Sequence, residues 1–345
     1  MSRLNIAIRT NGGVSFGLGH VRRCLALAQF LSKLGANVQF IVNTDSLVRS
    51  LIYSHGFKAV SVRLESDVQQ TQDVLRCWDA RVVVTDGYSF VADYLDTLRE
   101  DVEFLIAIDD LGLSRVPADM VVNTLANASA CHYSSLPHTR FLIGPRYTLL
   151  REEFVEVPTR RIHERVGRVL ITIGGSDPLN LMPQLRGGAR ESLGEIELDV
   201  VVGPFFENIE SIEQEAVRFA DRVRVHHDPK GMQPLMVAAD IAIAAGGQTS
   251  FELAATGTPA VAICLAENQH DNLVALAADG TLVLGGNAQD SDLRFKVIEA
   301  LRMLSSNRDQ RMRMSARGRQ VVDGMGAQRV AEAIIEEYFQ KRARH

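Results

Sequence analysis

The sequence predicts an α/β protein of two doubly wound lobes in tandem, and three observations predict it. Short apolar runs of strand length alternate with stretches of helical period through most of the chain. Many of those runs end on Gly-Gly or Asp-Gly, where a strand hands over to a loop. A polar, charged stretch, REEFVEVPTRRIHERVG (151–167), separates one round of alternation from the next.

In the first round, LNIAI (4–8) is a strand followed by a Gly-rich loop. HVRRCLALAQFLSKL (20–34) places Val21, Cys24, Leu25, Leu27, Ala28, Leu31 and Leu34 at helical spacing. Strand 37–42, helix 46–55, strand 58–62, helix 67–78, strand 81–86, helix 89–99 and strand 104–110 follow. MVVN (120–123) and RFLIG (140–144) complete the lobe. Strands joined by helices argue for βαβ units and a parallel sheet. The second round runs through strands 168–175, 198–203, 222–227, 240–247, 259–264 and 281–286. Its helices are expected at 179–192, 209–219, 231–238, 249–256 and 270–278, with terminal helices over 290–304, 306–323 and 326–342. The expected division is a first lobe at 1–150, a linker at 151–167, a nucleotide-binding lobe at 168–325 and a C-terminal helix at 326–345. Two Rossmann-like lobes with helices left over fit the glycosyltransferase-B (GT-B) arrangement. Ligands in such sheets bind beyond the carboxyl ends of the strands, which puts the expected site in an interlobe cleft.

The 345 residues suffice for two domains, each with its own core. A formal net charge of −5 argues against a nucleic-acid partner, which needs a basic face. It leaves anionic small ligands open, because backbone N–H groups bind phosphate without help from net charge. The four cysteines (Cys24, Cys77, Cys131 and Cys264) form no C-x-x-C pair and read as reduced, mostly buried thiols. The N-terminal apolar run reads as a strand rather than a signal peptide. No apolar stretch reaches the roughly 18–20 residues of a membrane span, so a cytoplasmic protein without membrane insertion is expected. No metal and no cofactor are expected.

Four motifs carry the candidate chemistry. In TNGGVSFGLGHVRRC (10–24), glycines including Gly17 and Gly19 let the backbone approach a ligand, and His20 opens the helix. A helix N-terminus favours the neutral ring, which is able to take a proton as a general base. A solvent-facing ring near a helix cap is the alternative. In ITIGGSDPLN (171–180), Gly174, Gly175 and Ser176 suit a phosphate held by backbone amides, while Asp177 also reads as a helix cap. In AAGGQTSFELAATGTPAVAI (244–263), Gly247, Gln248, Thr249 and Ser250 stand at a helix start, a second anion site. Glu252 in that helix reads as a carboxylate for both hydroxyls of a ribose, or as the acidic partner of a helix start. In CLAENQHDNLVALAADG (264–280), Gln269 belongs to a polar loop and Asn272 to the opening of the next helix. Asp86 and Tyr88, and Asp109 and Asp110, end strands of the first lobe and are candidates for the same edge, or for turn formation. For the dipeptide His226-His227, period-2 geometry predicts one buried and one exposed ring, and no shared metal.

RTNGGVSFGLGHVRRCLALAQ resembles the opening of the UDP-sugar hydrolases of the pseudaminic acid pathway, the PseG family. VVVTDGYSF, IAIDDLG, DMVVNTLANA, GPRYTLLREEF and ITIGGSDPLN follow in that family's order, over about residues 4–285. The AAGGQTSFELAATGTPAVAI segment is also similar to the nucleotide-site segment of MurG, a lipid-linked glycosyltransferase. The resemblance implies hydrolysis of UDP-2,4-diacetamido-2,4,6-trideoxy-β-L-altropyranose to UDP and the free sugar. It implies His20 as the active-site histidine, Tyr88 as the tyrosine after the strand-end Asp, and Glu252 as the nucleotide carboxylate; Asn123, in DMVVNTLANA, comes with it as a substrate contact. Asp86-Gly87-Tyr88 departs from the Asp-His-Tyr of some relatives, so no second histidine stands there.

The expected mechanism is metal-free attack of water at the anomeric carbon, with His20 as base. Helix N-termini near Ser176 and Thr249–Ser250 stabilise the departing diphosphate. Tyr88 holds sugar or water, and Asp109 orients polar groups near His20. The rival readings are a MurG-like transferase, a non-catalytic nucleotide-sugar binding protein and a non-hydrolysing 2-epimerase.

Overall fold

The computed structural model describes residues 3–112, 115–129, 132–207, 209–219 and 222–344. The chain divides into two compact units, Met1–Glu152 with Gly324–His345, and Glu153–Asp323.

In the first unit, β1 (Asn5–Thr10), α1 (Gly19–Lys33), β2 (Asn37–Asn43), α2 (Ser46–Ser54), β3 (Lys58–Val62) and α3 (Asp67–Cys77) form one wing. β4 (Val82–Asp86), α4 (Ala92–Arg99), β5 (Phe104–Ile108), β6 (Arg115–Val116), β7 (Met120–Asn123), β8 (Ser134–Ser135) and β9 (Arg140–Ile143) form the other. Among the described residues the main sheet has the order β3-β2-β1-β4-β5-β7-β9, and its neighbouring strands are parallel. β6 and β8 pair separately. The order reverses between β1 and β4, which makes the gap above them the switch point where doubly wound sheets place their ligands. Register sets Thr10 beside Asp86 and Asp86 beside Ile108, so the loops after β1, β4 and β5 emerge side by side. Both faces of β4 and β5 are buried, which explains their unbroken apolar runs.

The second unit repeats the scheme. It contains β10 (Arg168–Thr172), α5 (Met182–Leu193), β11 (Glu197–Val202), α6 (Ile209–Arg218), β12 (Val223–His227) and α7 (Gln233–Ala238). It continues with β13 (Ile241–Ala245), α8 (Gln248–Thr256), β14 (Ala260–Cys264), α9 (Glu267–Ala278), β15 (Val283–Asn287), α10 (Leu293–Ser306) and α11 (Arg308–Val321). The sheet order is β12-β11-β10-β13-β14-β15, with the switch point between β10 and β13. Val169, Ile171, Val200, Ile243 and Val261 lie at its core with α5 and α10 residues such as Leu185 and Leu301.

Among the boundaries that differ from expectation, three have clear local reasons. α4 starts at Ala92 rather than 89, because Phe90 turns into the core and Val91 is extended. α5 starts at Met182 rather than 179, because the Asp177 carboxylate accepts from the amides of Leu181 and Met182 and holds the intervening turn. α9 starts at Glu267, so Glu267, Asn268 and Gln269 form its first turn rather than a loop.

The stretch read as a linker is tied down. Phe154 is fully buried, and arginines bind the carbonyls beyond it. Arg319 reaches Val157 and Pro158, and Arg311 reaches His163 and Glu164. Arg160 in turn donates to the carbonyls of Met236 and Val237. Cys24 and Cys264 are buried free thiols, and Cys77 is an exposed one; Cys131 lies outside the described residues. His226 is half-buried, bonding Asp199 at 2.7 Å, and His227 is exposed.

The last helix, α12 (Gly326–Arg344), packs on α1 of the first unit. Tyr338 donates to Glu103 at 2.9 Å and Lys341 to Asp119 at 2.7 Å. A Cβ on Gly326 would stand 2.6 Å from the Thr148 amide nitrogen and the Tyr147 carbonyl carbon. Helix propensity favours Ala over Gly by about 1 kcal/mol at most, whereas forcing an atom against backbone costs about 1–3 kcal/mol. Gly326→Ala is therefore expected to destabilise the protein by about 1–2 kcal/mol on those terms. An unchanged urea midpoint for this variant would rule out the close approach.

Candidate functional site

The first unit concentrates titratable groups at its switch point. The loop after β1 folds back on itself through paired backbone hydrogen bonds between Gly13 and Gly17, 3.0 and 2.7 Å long. Gly13 has φ +112°, and a Cβ there would press on the Asp45 side chain, so the turn requires glycine. The loop delivers Gly19 and His20 to the first turn of α1.

His20 Nδ1 lies 2.8 Å from Asp86 Oδ1 at the end of β4. Asp86 is fully buried and accepts from four groups. Arg23 engages it with a two-pronged fork, Nε to Oδ2 at 2.7 Å and Nη2 to Oδ1 at 2.5 Å. Cys24 Sγ donates to Oδ2 at 3.2 Å, and His20 supplies the fourth bond. The remaining Arg23 nitrogen, Nη1, bonds Asp110 Oδ2 at 2.5 Å. Burial alone would push the Asp86 carboxyl up, but Arg23, then His20, hold it well below the usual carboxylate range. Burial pulls the Arg23 guanidinium down, yet Asp110 and Asp86 together keep it well above its ordinary value. Burial, then the Asp86 charge, push the Cys24 thiol well up, so it stays protonated.

These charges decide the tautomer of His20. Nδ1 lies 2.8 Å from Asp86 Oδ1 and 3.1 Å from Arg23 Nη2; an ionised Asp86 offers only lone pairs, and this shorter contact favours a proton on Nδ1. With the proton there, Nε2 keeps its lone pair. The Tyr88 ring stands edge-on to the imidazole at 4.7 Å between centroids and 85° between planes, half exposed.

Asp109 and Asp110 line the same pocket as His20, Asp86 and Tyr88. The carboxylate hydrogen-bonded to His20 is Asp86, whereas Asp109 was expected to orient polar groups near His20. Asp109 accepts from Tyr133 Oη at 2.9 Å and from the Leu111 amide at 2.8 Å. Register explains the difference: Asp86 ends β4, beside β1 and the helix that follows it, whereas Asp109 lies one strand further out. Asn123 joins this second network, donating to Tyr133 Oη at 2.8 Å. Burial raises the Tyr133 hydroxyl, so it remains a donor. Arg23 and Tyr133 escaped the sequence reading. Arg23 had a signal, since His20 and Arg23 stand three apart and share a helix face.

The second unit brings its candidates to its own switch point. Gly174, Gly175 and Ser176 follow β10, and Gly246 and Gly247 follow the adjacent β13. Gly247 is the N-cap of α8, which has no side-chain cap, and Gln248 and Thr249 are its half-buried first residues. Ser250 is buried, its hydroxyl 3.4 Å from the Ala245 carbonyl. Glu252 is buried on α8, and Asn272 is buried on α9. Gln269 accepts from the Leu265 amide at 3.0 Å, with its side chain packed near Gly246 and Gly247. Among the described residues no group of three or more His, Cys, Asp or Glu is placed to hold a metal ion. Among them, too, no helix is long and apolar enough to cross a membrane.

No family model matches the sequence. An uncharacterized protein of Methanocaldococcus jannaschii is 29% identical over 279 residues, 78% of this chain and 57% of that protein. The spore coat polysaccharide biosynthesis protein SpsG of Bacillus subtilis is 23% identical over 98% of this chain and 99% of its own. The pseudaminic acid cytidylyltransferase and UDP-2,4-diacetamido-2,4,6-trideoxy-β-L-altropyranose hydrolase of Helicobacter pylori is 25% identical over 77% of this chain. The chain spans 46% of that protein's length. Among solved structures, Acinetobacter baumannii MurG superposes with a TM-score of 0.66 over 96% of this chain and 99% of its own, at 16% identity. The fold is therefore α/β of the GT-B type, with two Rossmann-like lobes.

Proposed function

We propose that the protein is a nucleotide-sugar hydrolase that releases UDP and a free 2,4-diacetamido-2,4,6-trideoxy hexose. The observation that carries the reading is the 2.8 Å contact of His20 Nδ1 with the buried Asp86 carboxylate, which favours the proton on Nδ1 and leaves Nε2 as the acceptor. The likeness to the H. pylori protein, whose name includes such a hydrolase, supports the choice of reaction and sugar.

Nε2 takes a proton from water as the water oxygen bonds to the anomeric carbon. The bond from that carbon to the diphosphate oxygen breaks, and its electron pair leaves with UDP. The imidazolium formed is balanced by the Asp86 charge 2.8 Å away. Tyr88, against the imidazole, holds the sugar or the water. In the second unit, taken by itself, the amides of Gly174–Ser176 and Gln248–Ser250 suit a diphosphate and the Glu252 carboxylate suits ribose hydroxyls. Gln269 and Asn272 complete that set.

General-base help is typically worth about 10²–10⁴-fold, so His20→Ala should lose that much turnover. The check is UDP release from a panel of UDP-sugars by both proteins, without an added acceptor. Equal rates would remove His20 from the base role. UDP release that appears only with an acceptor would instead make the protein a transferase, the reading favoured by the MurG likeness.

A further inference from the structure

The geometry points to Arg23 as a positioning residue that acts on His20 through Asp86: its fork turns both carboxylate oxygens into fixed acceptors, so the ring proton stays on Nδ1 and Nε2 keeps its lone pair. The inference rests on the reading of His20 as the base.

Four features of the cluster carry it. Arg23 bonds each Asp86 oxygen separately, which fixes the plane of the carboxylate as well as its charge. One of those oxygens, Oδ1, is also the acceptor of His20 Nδ1. The guanidinium is itself anchored, because Asp110, from the loop after β5, holds Nη1. Arg23 thus spans two carboxylates from different strands and cannot turn away from one without losing the other. His20 and Arg23 lie one turn apart on α1, and Arg23 Nη2 stands 3.1 Å from His20 Nδ1, so guanidinium and ring converge on the same Asp86 oxygen.

The surroundings make this more than a structural ion pair. The titratable groups facing Asp86 are His20, Arg23 and Cys24 from α1, Tyr88 from its own loop, and Asp109 and Asp110 from the loop after β5. Arg23 is the group in this set that is always a cation. Without it, burial would favour a protonated Asp86. A protonated carboxyl keeps its proton and donates a hydrogen bond to Nδ1. The ring would then carry its own proton on Nε2, facing the wrong way for a base.

The test uses the full-length protein with Arg23→Met and Arg23→Lys. Lysine keeps the charge but cannot bond both oxygens in parallel. Two readouts are needed: ¹⁵N signals of the His20 ring in the free protein, assigned by difference from His20→Gln, and pH profiles of kcat and KM. Wild type is expected to show the Nδ1–H tautomer at neutral pH. Arg23→Met should show a substantial Nε2–H population and a kcat lowered about 10²–10³-fold at pH 7, within the range of lost base catalysis. Activity should return partly as the pH rises and Asp86 gives up its proton, with KM changed little. Arg23→Lys should fall between the two, with kcat down about tenfold on the same scale. If Arg23→Met does not fold, Arg23→Lys decides alone. Wild-type ring signals and an unshifted kcat profile in a folded Arg23 variant would overturn the inference. An active His20→Ala would overturn the base reading instead, while the ring signals would still report whether Arg23 controls the tautomer.

Discussion

Asp86→Asn is expected to reduce turnover about 10³–10⁴-fold, the scale seen when the carboxylate behind a histidine base is replaced by its amide. Asp86 accepts from His20, Cys24 and twice from Arg23. An asparagine has one oxygen for those donors, and its NH₂ must face one of them. Arg23 donates to both oxygen positions and His20 shares one of them with Arg23 Nη2, so in either orientation the amide NH₂ opposes an Arg23 N–H. The variant also lacks the negative charge that faces the ring, so the imidazolium formed in the step loses its counter-charge and the base is weakened. Steady-state kinetics with a thermal melt would check this; a folded Asp86→Asn within tenfold of wild type would refute it.

A pH signature accompanies this variant. Asp86 is held below its unfolded value near ~3.9, so its contribution to stability is fully present above that value. It fades as the pH falls from there toward the depressed folded value. The stability gap between wild type and Asp86→Asn should therefore be constant from neutral pH to about 5 and close in stronger acid. A gap that widens on acidification would mean that Asp86 is not the depressed group.

Phe154→Ala is expected to cost about 3–5 kcal/mol. Phe154 is fully buried where the second unit begins, in a short 3₁₀ turn, Glu152–Phe154. Removing the ring forfeits its transfer energy and leaves a cavity that the flanking backbone cannot readily fill. That segment is pinned: the Glu153 carboxylate accepts from the backbone amides of Met232 and Gln233, and the Gln233 side-chain amide donates to the Glu153 and Glu156 carbonyls. Urea unfolding would read the loss, and a cost below about 1 kcal/mol would show that the segment is the loose linker its composition suggests.

That segment shows where composition misleads. REEFVEVPTRRIHERVG is polar because its job is to present carbonyls and charges to the arginines of one unit, and a single aromatic anchors it. Nothing in its periodicity marks Phe154 as core. The regular elements were far more legible. The alternation of apolar runs and helical periods located β3 at 58–62 and β7 at 120–123, and placed most other strands within two residues. The glycine-rich turns located the loops at both switch points, because a ligand-facing loop and a tight turn demand the same small residues.

The sequence by itself determined the βαβ alternation, the two rounds of it, and which loops follow which strands, since hydrophobic period and turn chemistry act over a few neighbouring residues. It also named His20, because a histidine at a helix start after a glycine loop is a local pattern. Only the tertiary structure decided which strand lies beside which. That choice brought Asp86 to His20 across 66 positions and Asp110 to Arg23 across 87, and gave Asp109 a different partner. It also returned α12 to the unit that contains α1. Period tells a strand which faces to bury but not which neighbour to choose; the choice follows from packing the whole sheet, and a charge network of buried residues exists only once that packing is complete.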